Sequence, residues 1–588
     1  MSDELKHECA VAMVVLRKAA VATGDYGGTK LSLLLEKQHN RGQDGAGAAI
    51  LSENPTPGEP PYWIAKSASA APLADVLGAI GRRSVSRERI FLGHLRYATF
   101  GKNEVAFCHP FVHESSELAH TLLLAGNFNL TNAHELFDDY SRHGSFPTSK
   151  ADGYLITELV AHELAGGKSL ADSISTALAG ADGAWTLCGA TGDGWAFATR
   201  DPHGIRPGFY YIDDNAVVVA SERPAIQAAF DVPPEAVKEL PPGEALVVSP
   251  DGTVEFCDLV VRLETRAEGR NSPSRLSSNV SRPMIRPCSF ERIYFSRAND
   301  ADIHRERKAL GAALVPQILK AADAPMEDIF FSYIPNSARI AFHGLIEHLF
   351  DEHGKVRFGE IAVKDAKFRT FIADAAARRE FYKHVYDVTY GLVRPGRDTL
   401  VVLDDSIVRG NTMKNAILPM LDRLGPKRIV IASSAPPIRY PDCYGIDMST
   451  LGELVAFRAL VNLLNGEQGT GNGEQGTGNG ERTLREALAD GGVPGAPRNP
   501  LAALYARFTD DQHCAEIARL LTPPDMKAEV KVVYQSVESL RRCLASDANP
   551  GSAIGDWYFT GDYPTPGGHK VLENALRNHL ERKNGRSY

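Results

Sequence analysis

The sequence predicts two layered domains in one chain, an α+β first half followed by an α/β second half. At 588 residues the chain is about three to four times the usual single-domain length, so a single core is not expected. Segments up to residue 263 are short, β-rich and separated by turns, whereas segments from residue 288 alternate nearly continuous apolar strands with helices. The two rhythms meet across residues 264–287, a polar and basic stretch short of apolar anchors, which marks a connection between domains.

The first half opens on "KHECAVAMVVLRK", where Cys9 heads an apolar run. Two readings of Cys9 stand side by side: a small buried residue opening a strand, or the first residue of the working protein once residues 1–8 are removed. "RIFLGHLRYATF", "HTLLLAGNFNL", "GAWTLCGATGDGWAFATR" and "GEALVVSPDGTVEFCDLVV" follow as strands and "LITELVAHELA" as a helix, giving a mixed layered domain over 9–263. Across 288–460, "DIFFSYIP" precedes "ARIAFHGLIEHLFDEHG", and "DTLVVLDD" precedes "GNTMKNAILPMLDRLGPKR" and "IVIASSAPP". This strand, helix, strand order is that of a parallel sheet. In the helix after Gly410, the residues Met413, Ile417, Met420, Leu421 and Leu424 share one face, and Gly425-Pro426 stop it. Residues 461–485 hold a repeated N-G-E-Q-G-T-G unit without apolar heptad positions, so a flexible insertion is expected. Residues 486–588 are expected to form a C-terminal helical extension.

Composition removes several function classes. A net charge of −9 provides no field for a nucleic-acid backbone or an anionic membrane, so neither is expected as a partner. No apolar stretch approaches the 18 or so residues of a membrane span, and the acidic "MSDELKHE" does not resemble a secretory leader. The eight cysteines are scattered without a C-x-x-C pair, which argues against a disulfide framework and a zinc knuckle and for a cytoplasmic location.

The sharpest local signal is "VVLDDSIVRGNTM", residues 401–413. A buried strand ends in two carboxylates, and a small-residue loop then carries backbone N–H groups to a helix start, an arrangement suited to a phosphate beside a polyol. Asp404 and Asp405 can accept hydrogen bonds from ribose hydroxyls or lie near a hydrated Mg2+, with Ser406, Ile407 and Val408 continuing the loop and Arg409, Gly410, Asn411 and Thr412 around a 5′-phosphate. Taken alone, the same residues are also compatible with a strand end and a capping turn.

The segment resembles the phosphoribosyl pyrophosphate (PRPP) signature of type I phosphoribosyltransferases. "CSFERIYFSRAND", "FRTFI" and "APPIRYPDCYGIDM" around it, with "CAVAM", "QHNRGQDGAG", "GHLRYATFG", "NFNLTNAHEL", "RDPHGIRP" and "SERPAI" in the first half, resemble the glutamine PRPP amidotransferases over roughly residues 9–265 and 286–455. The resemblance implies a four-layer αββα glutaminase domain of the N-terminal nucleophile kind, then a type I phosphoribosyltransferase domain whose parallel sheet is flanked by helices. It implies glutamine hydrolysis at Cys9 after loss of a propeptide, residues 1–8, and transfer of ammonia to C1 of PRPP. Asn127 and Phe128 would then face the oxyanion, and Arg41, Arg96 and Asp152 would hold glutamine. Ser337 would lie in the pyrophosphate-binding turn, and Lys364 and Arg369 in a lid that runs toward Lys383. Mg2+ at Asp404 and Asp405, purine nucleotides as inhibitors and a homodimer or homotetramer are implied in the same way.

The chain departs from the family at Ala10 and Phe128, where the family carries glycine, at an inserted Asn40, and at Asn336, Ala338 and Asn411. A phenylalanine forced into a glycine-type positive φ would be strained and would crowd the pocket. Some members hold an iron–sulfur cluster on four cysteines. Here Cys288 matches the first, Asp442 stands at the second, and Gly555 and Tyr558 replace the final pair, so no cluster is expected. The departures leave two other readings open: a paralogue using free ammonia or another amine, and a non-catalytic PRPP or nucleotide sensor.

Overall fold

The computed structural model describes residues 8–17, 25–52, 55–83, 88–98, 104–142, 144–261, 282–364, 386–466, 479–489, 499–545 and 553–583. Arg369, Lys383, residues 467–478 of the repeats and most of the connection lie outside the described residues, and of Lys364 only its place at a strand end is described; the flanks of the expected flexible insertion, 461–466 and 479–485, are instead helical, within Val455–Gly466 and Asn479–Ala489. In chain order the strands of the first half are β1 (Ala10–Leu16), β2 (Gly45–Ser52), β3 (Tyr62–Ser67), β4 (Glu88–Arg96), β5 (Phe111–His113), β6 (Leu122–Leu130), β7 (Gly183–Thr191), β8 (Ala196–Arg200), β9 (Phe209–Ile212), β10 (Ala216–Ala220), β11 (Lys238–Glu239), β12 (Glu244–Val248) and β13 (Val254–Asp258). Those of the second half are β14 (Ile329–Tyr333), β15 (Ala362–Lys364), β16 (Tyr386–Val388), β17 (Thr399–Asp404), β18 (Arg428–Ser433) and β19 (Glu529–Tyr534).

The first half contains two antiparallel sheets, ordered β11-β9-β10-β1-β4-β2-β3 and β13-β12-β8-β7-β6-β5. Strand β1 shows why they stack. Its side chains alternate, so that Ala10, Ala12, Val14 and Leu16 meet the helices Tyr26–Lys37 and Arg223–Phe230, while Val11, Met13 and Val15 meet the other sheet. Strand β6 does the same in reverse: Leu122, Leu124 and Leu130 pack on the helices Asp152–Ala165 and Leu170–Leu178, and Leu123 and Ala125 pack between the sheets. The result is the expected helix, sheet, sheet, helix order.

In the second half β14, β17, β18 and β19 form a parallel sheet in that order. Both faces are covered: Val401, Leu403, Val430 and Ala432 point to the helices Val315–Ala322 and Arg339–His353, and Leu400, Val402, Ile429 and Ile431 to the opposite layer. Two details differ from the sequence reading. The C-terminal region is not purely helical, because β19 pairs in parallel with β18 and completes this sheet. The segment after Gly410 buries Met413, Ile417, Met420, Leu421 and Leu424 as expected, but its first turn, Met413–Ile417, is π-wound before the α-helix Leu418–Asp422.

A third core joins the halves. Ala184 and Ile205 of the first half pack with Cys288, Phe290, Tyr444, Trp557 and Leu572. Cys288 lies where a cluster would begin, but its thiol is hydrogen-bonded with the Tyr558 hydroxyl at 3.0 Å, and Asp442 accepts from the Trp557 indole N–H at 3.1 Å and from the backbone of Tyr444 and Ile446. An iron–sulfur cluster does not fit this donor set, in which the four ligand positions hold one thiol, one hydrogen-bonded carboxylate, one glycine and one phenol. Among the described residues no helix is long and apolar enough to cross a membrane.

Candidate active sites

The antiparallel register that sets Ala10 opposite Leu95 brings Cys9 level with Arg96 and Tyr97. The Cys9 thiol accepts from the Tyr97 N–H at 3.3 Å and lies 3.6 Å from the Tyr97 carbonyl. Cys9 walls a pocket of about 30 Å³ together with Arg96, His109, Gly126, Phe128 and Asp152, room for about two waters. Burial pushes the thiol up to about 11, so it is protonated at neutral pH while its nitrogen remains in the peptide bond to Glu8.

Asp152 begins the helix Asp152–Ala165 and accepts from the Gly153 N–H at 2.9 Å. Asn127 alternates with Gly126 and Phe128 on β6 and so takes the inter-sheet face. It is 3% exposed, and its Nδ2 has no hydrogen-bond partner among the described residues. Phe128 escapes the strain expected of it. It lies in regular extended register opposite Trp185 and is not among the non-glycine residues with positive φ, so the strand accepts phenylalanine without distortion.

Arg41 corrects the sequence reading. It is fully buried away from the Cys9 pocket, with Nε on Glu222 at 2.6 Å and Nη1 on Glu291 at 3.0 Å. Those carboxylates hold it charged despite burial, and Arg96 is the arginine that walls the pocket. Glu8 belongs to the same ion cluster: its carboxylate pairs with Arg206 and lies 3.8 Å from Arg41, and its carbonyl accepts from the Gly42 N–H at 2.9 Å. Burial, opposed by Arg206 and aided by neighbouring Glu291, lifts its carboxyl to about 8.

The second site is a cavity of about 740 Å³ at the C-terminal end of β17. Asp404, Asp405, Ser406, Ile407, Val408, Arg409, Gly410 and Thr412 line it, together with Ser337. Asn411 is exposed and does not line it. Gly410 makes the turn at φ +78°, a conformation that disfavours a side chain. Asp405 accepts from the hydroxyls of Ser337 and Ser406, and burial raises its carboxyl. Asp404 accepts from the Asp405 N–H at 2.9 Å. The Arg409 side chain is engaged by Glu453 at 2.7 Å and by the Asp447 carbonyl at 3.0 Å, so this residue serves the loop mainly through its backbone. Sequence reasoning missed Arg307. It lines the cavity, donates to the carbonyls of Arg292 and Ser296 at 2.8 Å each, and is lowered to about 10 by burial. Its only sequence signal was a basic residue at a buried helical position.

The cavity wall also includes His39, Asn40 and Gln43 from the first half. A cysteine pocket in an αββα sandwich and, in the same chain, a separate cavity walled by a strand-end carboxylate pair and its loop on a parallel sheet match an amidotransferase of glutaminase-plus-acceptor design, and the glutamine amidotransferase domain family matches residues 109–228. Amidophosphoribosyltransferase of Bacillus subtilis is 30% identical over 476 residues, covering 79% of this chain and 87% of its own length. That of Escherichia coli is 29% identical over 71% of this chain and 78% of its own. The chain belongs to the amidophosphoribosyltransferase family. The solved structure of the allosteric regulatory enzyme of purine biosynthesis superposes with a TM-score of 0.66 at 25% identity, covering 95% of this chain and 96% of that one. The B. subtilis glutamine PRPP amidotransferase, complexed with ADP and GMP, has the same fold, with a TM-score of 0.64 at 24% identity over 95% and 97%.

Proposed function

We propose that this chain makes 5-phosphoribosylamine from PRPP, glutamine and water, the first committed step of purine biosynthesis, by releasing ammonia at Cys9 and passing it to C1 of PRPP. The observation that carries this reading is the mixed lining of the acceptor cavity, since His39, Asn40 and Gln43 of the glutaminase half line it together with the Asp404–Thr412 loop. Loss of residues 1–8 would free the α-amino group of Cys9, whose ordinary pKa near 7.7–8.0 suits it to take the thiol proton that burial otherwise retains. The thiolate adds to the glutamine amide carbon, and ammonia leaves as the thioester forms. Water then releases glutamate. Asn127 Nδ2, buried without a partner among the described residues and one position from the pocket-wall residues Gly126 and Phe128, would serve the developing oxyanion only by turning toward the pocket. Arg96 holds the glutamine carboxylate and Asp152 its ammonium.

In the acceptor site Asp404 and Asp405 bind the ribose hydroxyls, the Ser406–Thr412 loop binds the 5′-phosphate, and Ser337 faces the pyrophosphate. The paired carboxylates fit Mg2+, which would neutralise charge on the departing pyrophosphate. Purine-nucleotide inhibition, a homo-oligomer and a cytoplasmic location complete the reading; the eight free cysteines are in keeping with the last. Purified protein with Cys9 as its first residue, given glutamine, PRPP and Mg2+, is expected to release glutamate and pyrophosphate in equal amounts. Pyrophosphate release with ammonium but not glutamine would overturn the glutaminase half, and PRPP binding without turnover would overturn both.

A further inference from the structure

We propose that His109 is a substrate-contacting hydrogen-bond donor of the glutaminase pocket, presenting Nε2–H to the carboxamide oxygen of glutamine as Cys9 adds to it. His109 and Cys9 wall the same pocket of about 30 Å³, so a group bound there lies against both. The Gly126 N–H donates to His109 Nδ1 at 3.3 Å. An imidazole whose Nδ1 accepts carries its proton on Nε2. Among the described residues, no hydrogen bond accounts for that Nε2–H, and it is not a fully buried orphan, which leaves it for the pocket.

The ring is fixed on every side. His94 stacks on it at 4.0 Å between centroids, 17° from parallel. His94 Nε2 donates to the Gly126 carbonyl at 3.0 Å, so one imidazole holds the N–H of Gly126 and the other its C=O. Phe111 and Phe128 meet the His109 ring edge-on at 4.8 and 5.6 Å. On the last side the helix start is glycine: a Cβ at Gly153 would lie 3.0 Å from His109 Cε1 and 2.5 Å from the Phe111 ring. Burial, with His94, Lys66 and Arg96 nearby, keeps His109 neutral. A neutral donor held rigid in a small pocket is the form that stabilises a developing oxyanion without reorganisation.

This inference rests on the glutaminase reading. The test uses the full chain with its first residue verified by mass, comparing wild type, His109→Leu and His109→Gln with glutamine or ammonium as nitrogen source. The Leu variant is expected to lose roughly 100-fold in kcat/KM for glutamine, the scale of one oxyanion donor, while its ammonium-dependent rate stays at the wild-type level. Glutamine at position 109, which restores an N–H, is expected to recover to within about fivefold of wild type. A Leu variant within about threefold of wild type, equal losses in both variants, or a parallel fall of the ammonium rate would each overturn the role, the last because packing alone produces it. A wild-type chain that starts at Cys9 and releases no glutamate overturns the glutaminase reading instead, and His109 falls with it.

Discussion

Asp405→Asn separates binding from folding at the acceptor site. The carboxylate is 6% exposed and accepts from Ser337 and Ser406. Asparagine preserves the shape and one acceptor oxygen but removes the charge. A hydrogen bond to a charged group contributes about 1.5–3 kcal/mol, and each 1.4 kcal/mol is tenfold. Losing one such bond to a ribose hydroxyl should therefore lower kcat/KM for PRPP by about 10- to 150-fold. Stability should move the other way. Burial raises the Asp405 carboxyl above its ordinary value, so the folded state holds a proton that the unfolded state has released, and folding is opposed as pH rises through that window. Asparagine carries no such cost, and Tm at pH 7 should stay level or rise. Steady-state pyrophosphate release paired with thermal unfolding measures both. A variant within twofold of wild type on PRPP, or one whose Tm falls by more than about 3 °C, would refute the assignment.

Arg41 and Arg96 should part company in the same pair of assays. Arg41→Ala strands Glu222 and Glu291 in the interior and should cost about 3–5 kcal/mol in denaturant unfolding, whereas Arg96→Ala should raise KM for glutamine with a much smaller loss of stability. Gly410→Ala places a Cβ at φ +78° within 2.3 Å of Leu521 Cδ2, and should cost about 1–2 kcal/mol for the backbone alone while weakening PRPP, read by calorimetric titration. In a Cys9→Ala chain that keeps Glu8, stability should fall as pH rises from about 4.5 to about 8, since only the folded state retains the Glu8 proton across that range. Glu8→Gln in that background should flatten the slope, and an unchanged slope would remove Glu8 as its source.

The parts legible in the sequence were those in which one local pattern dictates one arrangement. "AVAMVVL" reads as a buried strand, which β1 is, and "VVLDDSIVRGNT" reads as a strand end running into a loop, which the end of β17 is. What escaped notice depended on long-range partners. Arg41 reads as a ligand-binding cation in "HNRGQDG", yet its destination is fixed by Glu291, which lies 250 positions further along. His109 lies in "FCHPF" without any periodic signal, and its environment comes from β4, β6 and the Asp152–Ala165 helix. Phe128 was judged against a glycine conformation that the regular β6–β7 register does not require. Strand β19 is six residues between helices, and its first half, Glu529–Lys531, is largely exposed, so its pattern was weak until β18 supplied the pairing.

That last strand has a temporal consequence. Strand β18 ends at Ser433 and its partner β19 does not begin until Glu529, so the ribosome must add nearly a hundred residues before the edge of the sheet can close. At about 5–20 residues per second the exposed flank of β18 waits several seconds, while the first half, complete by Asp258, has already had time to fold. The nascent chain thus acquires its nitrogen-releasing half before the half that consumes the nitrogen, and a stop codon between Ser433 and Glu529 would leave the strands of the first half complete and the parallel sheet of the second open-edged.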